Sequence, residues 1–162
     1  TTLFRFFTVY GPWGRPDMAY FKFAEAGVEG RPVEIYGEGR MARDFTYIDD
    51  LVEAIVRLIG RPPRQGAPVG PMDSLSPVAP WRVVNIAGGR AVGLMDYVAA
   101  LERALGRPLD KRFAPMQTGD AAVTQSDPAL LKALTGYLPD TPLDVGMQAF
   151  ADWFMRWRTA QG

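Results

Sequence analysis

Two stretches of this chain restrict its fold more than any others. "LFRFFTVY" covers residues 3–10 and "WRVVNIAGG" covers residues 81–89. Both are rich in aromatic and β-branched residues and have few polar positions. That pattern predicts strands covered on both faces, as in the parallel sheets of α/β proteins. Two such strands do not make a stable doubly wound sheet alone; they need a larger parallel sheet around them. The first run starts at residue 3, without even a short tail. Thr1 is therefore expected not to be the natural start, and the chain to be the downstream piece of something longer.

The remaining pattern is mixed α/β. A helix is expected over 17–29, entered at Pro16-Asp17 and ended by Gly30. "VEIY" (33–36) reads as a short strand and "GEGRMARDFTY" as a loop. Residues 48–59 give the clearest helix. Asp49 and Asp50 stand in its first turn, and Leu51, Val52, Ile55, Val56, Leu58 and Ile59 form the expected buried stripe. Residues 60–80 hold six prolines and three glycines and read as a long surface loop. A helix over 94–105 is capped by Gly106, "KRFAPM" is a short strand, and Asp127 caps a helix over 128–135. Thr141 or Asp144 opens a last helix running to about Thr159.

At 162 residues, about half of them hydrophobic, one domain is the default. Net charge is zero, so neither nucleic acid nor a membrane surface is an expected partner. There are 15 Arg against 3 Lys, a skew that favours anion recognition but equally fits a GC-rich coding preference. With no Cys and no His, disulfides, thiolate nucleophiles, Cys or His metal sites and a Ser-His-Asp triad are excluded. No run is long and apolar enough to span a membrane. A cytoplasmic, reduced setting is the expectation.

Two absences bear on chemistry. No GxGxxG turn links a strand to a helix. No Tyr stands four residues before Lys22, Lys111 or Lys132; those places hold Met18, Arg107 and Pro128. A tyrosinate base activated by a neighbouring lysine is therefore lacking.

Three constellations remain. In "RFFTVYGPWGRPDM", Thr8 supplies a hydroxyl, Arg15 sits on a Gly/Pro-stiffened turn and a helix start follows. These groups suit a carboxylate or phosphate; equally, Arg15 can simply salt-bridge Asp17. In "YGEGRMARDFTYIDD", Tyr36 can lie beside a base and Arg43 against a diphosphate, or Asp44 can serve only to orient the next helix. In "PMQTGDAAV", Asp120 suits a pair of ribose hydroxyls, or is a turn aspartate.

Taken together, these stretches resemble the C-terminal half of the extended short-chain dehydrogenase/reductase family, and within it the NAD-dependent nucleotide-sugar epimerases acting on UDP-glucuronate. The resemblance rests on "RFFTVYGPWGRPDMA", "EGRPVEIYGEGRMARDFTYIDDLVEAI", "SPVAPWRVVNIAGG", "LMDYVAALERALG" and "GYLPDTPLDVGMQAFADWF". It covers nearly the whole chain and is most specific at "VYGPWGRPDM" and "RDFTYIDD". "NIAGG" in place of Asn-Ile-Gly-Asn-Gly, and "SDPALL" where Ala-Asp is common, are departures.

The resemblance implies an α/β fold: the last parallel Rossmann strands (about 3–10 and 81–89, with the helix over 48–60) plus a small α/β substrate-binding domain, the NAD-binding part lying upstream. It implies a transient oxidation at C4 of a UDP-sugar, with NAD taking and returning the hydride, and UDP-glucuronate passing to UDP-galacturonate. Thr8 and Arg15 match positions that hold the glucuronate carboxylate, and Met18 a backbone amide at the diphosphate. Ile35 and Tyr36 match the uracil-contacting strand, Arg43 the diphosphate arginine and Asp120 the ribose carboxylate. Gln117 stands where related hexose epimerases carry a second phosphate arginine. Phe6 and Phe7 match the strand end near the nicotinamide. The catalytic Tyr and Lys match nothing here, so the piece alone is expected to be inactive. Two other readings are a related decarboxylase or dehydratase, and a non-catalytic UDP-sugar-binding module. A bare sheet edge invites self-association, a homodimer included.

Overall fold

The computed structural model describes residues 1–161. The chain forms two compact units, each assembled from three separated segments. One holds Thr1–Val9, Asp44–Arg90 and Gln125–Asp140; the other holds Tyr10–Arg43, Ala91–Thr124 and Thr141 onward.

In the first unit, β1 (Thr2–Phe6) pairs in parallel with β5 (Arg82–Ile86), in register Phe4 to Val84 and Phe6 to Ile86. The two apolar runs are thus neighbours in a parallel sheet, as their composition required. α2 (Ile48–Ile59) and α4 (Ala129–Thr135) cover β5: Leu51, Ala54, Leu58, Val84, Ile86, Leu131 and Leu134 form one buried cluster. The α2 positions in it recur at helical spacing, and Asp49 and Asp50 at the start with Arg57 in the last turn complement the helix dipole. α4 starts one residue later than expected: Pro128 is its N-cap and has no side-chain cap bond, while Asp127 accepts from Ala129 N–H at 2.9 Å in an Asx turn just before the helix.

In the second unit, β3 (Val33–Ile35) pairs in parallel with β7 (Lys111–Phe113). Helices α1 (Ala19–Glu29), α3 (Leu94–Leu105) and α5 (Leu143–Thr159) surround an aromatic core. Tyr20 meets Phe150 edge-on at 4.7 Å and Phe21 meets Phe154 at 5.3 Å. Such edge-to-face pairs add specificity to the burial itself. Short strands β6 (Ala91–Gly93) and β8 (Val123–Thr124) complete the unit, β8 running parallel to the first residues of β4 (Ala42–Tyr47).

Several expectations need correction. The run 3–10 is not one strand: it breaks at Phe7, and β2 covers Thr8–Tyr10. Nor is its first part covered on both faces; Leu3, Phe4 and Phe6 are all exposed. Residues 37–47 are not all loop and the strand expected over 33–36 ends at Ile35, since a 3₁₀ turn covers Tyr36–Gly39 and β4 follows. α1 starts at Ala19 rather than 17, because Arg15–Met18 close a separate turn. The α2 stripe is narrower than expected. Val52, Val56 and Ile59 face outward, and Ala54 takes their place inside. Residues 60–80 contain no regular element, as their prolines demand.

Candidate functional site

Four of the proposed contact residues converge in the second unit. Gln117 and Asp120 are the ends of one β-turn, Asp120 N–H donating to Gln117 O at 3.2 Å. Gly119 occupies its third position with φ +87°, the left-handed value that a type II turn requires and that glycine adopts without strain. The local sequence "QTGD" therefore dictates this geometry, and β8 follows directly.

Asp120 then meets Arg43, whose Nη2 donates to Asp120 Oδ1 at 2.6 Å. The same guanidinium donates from Nη1 to Ala42 O at 2.9 Å and Ala122 O at 3.3 Å, and Nη2 approaches Met41 Sδ at 3.7 Å. A planar fork held at four acceptors is pre-oriented. It is 19 % exposed, enough to reach a ligand.

The Gln117 amide lies near the Tyr36 phenol and favours its ionised form. The Tyr36 hydroxyl donates to Glu34 Oε2. That bond and the Glu34 charge push the phenol above its usual value, outweighing the opposing pull of Gln117. Tyr36 is neutral at physiological pH and offers a flat ring. Met41 and Met116 converge over Gly37, where a Cβ would stand 3.0 and 3.3 Å from their side chains. A ring, an amide, a carboxylate and a guanidinium are thus linked through neighbouring contacts, with Met41 touching both Gly37 and Arg43, a set of groups suited to a base, a sugar diol and a phosphate.

Ile35 is not a direct contact through its side chain, which is fully buried, while its carbonyl accepts from Ala114 N–H at 2.9 Å. It fixes the strand from which Tyr36 leaves.

The opening loop gives a different picture. Arg15 and Asp17 form a bidentate pair, Nε to Oδ1 at 3.0 Å and Nη2 to Oδ2 at 2.6 Å, with both side chains exposed. The Arg15 bond holds the Asp17 carboxyl below its usual value. Met18 N–H donates to Arg15 O at 3.1 Å, so this amide is engaged within the turn. Trp13 adopts φ +61°, a strained conformation for so bulky a side chain, and packs at a tilt of 47° against Trp153, ring centroids 5.5 Å apart. Only one other non-glycine residue, Glu38 at φ +53°, shares that region among the described residues. Both fall inside stretches that sequence reasoning had singled out.

Phe6, Phe7 and Thr8 belong to the first unit; Phe6 is exposed and stacks on Phe4 at 6.0 Å. The chain's own residues do not fit a dinucleotide. Gly11 and Gly14 stand between a strand and a helix, the place for a phosphate turn. A Cβ on Gly14, however, would lie 1.8 Å from the Tyr20 hydroxyl oxygen. The space is filled by that side chain rather than left for a pyrophosphate. No group of carboxylates suited to a metal occurs among the described residues.

Sequence reasoning missed the role of Asp44. It is buried in the first unit, and its Oδ2 accepts from Gly89 N–H (3.0 Å), Ser126 N–H (3.0 Å) and Ser126 Oγ (2.7 Å). It ties two distant turns to β4 rather than orienting the next helix. No local signal marks those partners.

Residues 1–69 match the model of the NAD dependent epimerase/dehydratase family. A probable UDP-glucuronate 4-epimerase of Rhizobium meliloti is 56 % identical over 157 residues, covering 95 % of this chain and 46 % of the relative. UDP-glucuronate 4-epimerase 1 of Arabidopsis thaliana is 38 % identical over 155 residues, covering 93 % of this chain and 35 % of that protein. Among solved structures, the Bacillus cereus UDP-glucuronic acid 4-epimerase in complex with UDP-glucuronic acid and NAD superposes with a TM-score of 0.79 at 29 % identity, over 96 % of this chain and 45 % of that one. The chain spans about half the length of the relatives it matches, or less. No helix among the described residues is long and apolar enough to cross a membrane.

Proposed function

From the premise that this chain belongs to the NAD dependent epimerase/dehydratase family, we propose that it is the substrate-binding part of an enzyme that interconverts UDP-glucuronate and UDP-galacturonate. The observation that carries this is the pairing of Arg43 with Asp120 beside Tyr36 and Gln117. In this reading Tyr36 stacks on or flanks uracil, Asp120 accepts from ribose hydroxyls, and Arg43 binds the diphosphate with Gln117 as a neutral second contact. Arg15 takes the sugar carboxylate in place of Asp17. Met18 contributes at the diphosphate by ending the turn that presents Arg15, and Ile35 by anchoring the strand before Tyr36.

The assignments of Thr8 to the sugar acid and of Phe6 and Phe7 to the nicotinamide side rest on the family resemblance. So does the division in which β1, β5 and α2 are residual Rossmann elements. In this reading NAD and the acid-base pair are assigned to the remaining length of such an enzyme.

The test is made on the longest native polypeptide that carries this sequence. Supplied with NAD, it is expected to equilibrate UDP-glucuronate with UDP-galacturonate, read by proton NMR at the anomeric signals. Turnover of UDP-glucose in preference to the uronate, or release of carbon dioxide with a pentose product, would replace this reading by a hexose epimerase or a decarboxylase.

A further inference from the structure

The 60–80 loop and the start of β5 enclose a cleft of about 250 Å³ in the first unit, lined by Arg61, Pro62, Arg64, Val69, Arg82 and Leu134 among others. The Arg82 side chain is only 3 % exposed, and its partner Asp73 is fully buried. The two are held at 3.4 Å, Nη1 to Oδ2, which is long for a hydrogen bond. The reason is that backbone groups claim the carboxylate. Val69 N–H donates to Oδ2 and Leu75 N–H to Oδ1, each at 3.0 Å. Arg82 Nε and Nη1 are left with no acceptor. Buried donors are nearly always satisfied, and two guanidinium nitrogens without a hydrogen-bond acceptor are among the costlier exceptions even beside a long ion pair.

Two further guanidiniums, Arg61 and Arg64, line the same cleft from exposed positions. Neither side chain has a partner among the described residues. Three arginines against one carboxylate leave a surplus of two positive charges. The C-terminus of α2, which ends at the cleft, opposes this with roughly half a charge, so the surplus wins.

We propose that this cleft binds a small dianionic oxyanion, a phosphate group. Such a group carries about two negative charges near neutral pH and three acceptor oxygens. Arg82 is the fixed donor at its floor, and Arg61 and Arg64 close over it from the rim. The site lies in the other unit from Arg43 and Asp120 and does not depend on the nucleotide-sugar reading. The phosphate can be free orthophosphate or the ester group of a small metabolite, and the same chemistry would recognise both.

The test titrates orthophosphate, and separately glycerol phosphate, into the longest native polypeptide by calorimetry at fixed chloride, with UDP already saturating so that any diphosphate contact is occupied. The Arg61→Ser/Arg64→Ser double variant changes only exposed loop positions and should fold. It is expected to lose tenfold or more in phosphate affinity with UDP affinity unchanged. Arg82→Lys, which keeps the charge but not the fork, should lose affinity as well. Binding of both probes assigns the site to phosphomonoesters, and binding of orthophosphate alone assigns it to the free ion. No saturable phosphate binding, or binding that the double variant leaves unchanged, overturns the proposal.

Discussion

The Arg43 guanidinium donates to the Asp120 carboxylate at 2.6 Å across 77 residues of sequence. Both belong to the second unit, one the second residue of β4 and the other closing the turn before β8. An ion pair this exposed contributes little to stability, about 1 kcal/mol at most. Its value is positional: backbone carbonyls of Ala42 and Ala122 hold the guanidinium, so a ligand that replaces Asp120 meets an oriented fork.

The two partners are expected to separate when binding is measured with two probes. Arg43→Ala should weaken both UDP and inorganic pyrophosphate by roughly 1.5–3 kcal/mol, the scale of a charged hydrogen bond. Asp120→Ala should weaken UDP, which has a ribose, but leave pyrophosphate unchanged or tighter, because a competing carboxylate is gone. Calorimetry on the two variants reads this directly. An equal loss of pyrophosphate in Asp120→Ala would remove the ribose assignment.

Asp44 should dominate stability rather than binding. Asp44→Ala strands the buried N–H and hydroxyl of Ser126 and the half-buried N–H of Gly89. Each stranded donor costs about 1–3 kcal/mol when buried, and with Gly89 only half-buried a loss near the low end of the sum, roughly 3 kcal/mol or more, is expected in urea unfolding. Asp44→Asn keeps one oxygen as acceptor and should lose less. A loss below about 1 kcal/mol for the alanine variant would mean the turns find other acceptors.

Three aspartates show what sequence can and cannot reveal. Asp127 was legible as a polar group at the start of α4 because its partner, Ala129 N–H, is two residues away, although Pro128 is the N-cap. Asp120 was legible as a turn aspartate because Gly119 precedes it. Asp44 reaches Gly89 and Ser126, 45 and 82 residues distant, and nothing local announces that. The α2 stripe was overread because Val52 and Val56 are as apolar as Leu51 and Leu58, and hydrophobicity does not say which neighbour covers a residue. Strands of two or three residues, such as β6 and β8, are too short to show a period. Arg82 and Asp73 looked like part of a strand and a loop, and only the fold buries them together.

Glu38 offers a test of stored strain. Its φ of +53° is disfavoured for any residue with a Cβ, and its side chain is exposed. Its N–H donates to Ala114 O at 3.2 Å, a bond that glycine retains. Glu38→Gly should therefore leave stability unchanged or raise it by roughly 0.5–1 kcal/mol, against the usual loss for a new glycine. A melting temperature that falls clearly would show that the carboxylate has a role beyond the turn.

Glu102 gives the acid limb of the second unit. Burial alone would raise its carboxyl, but the Leu109 N–H and the Lys111 ammonium prevail, and the group sits below its ordinary value of 4.5. A depressed carboxylate contributes stability that is fully present above the unfolded value and is lost as pH falls through the folded one. Unfolding free energy should thus decline below about pH 4.5, and Glu102→Gln should flatten part of that decline. Parallel curves for the two proteins would assign the acid sensitivity elsewhere.

Arg15 and Asp17 supply the sharpest test of substrate choice. In the structure the guanidinium is already satisfied by an exposed carboxylate in bidentate geometry. A sugar carboxylate must therefore displace Asp17, and the discrimination between uronate and hexose depends on that exchange. Asp17→Asn removes the competing charge while keeping the size of the side chain, so UDP-glucuronate should bind roughly twofold to fivefold tighter, the worth of an exposed pair. Arg15→Ala should weaken the uronate roughly tenfold or more, as loss of a charged hydrogen bond does, and leave UDP-glucose nearly unchanged. The two substitutions thus move selectivity in opposite directions from the same pair, which general damage to the loop cannot imitate. Competition binding with both sugars on the longest native polypeptide decides it. If both variants shift both sugars equally, Arg15 is a surface ion pair and the carboxylate is held elsewhere.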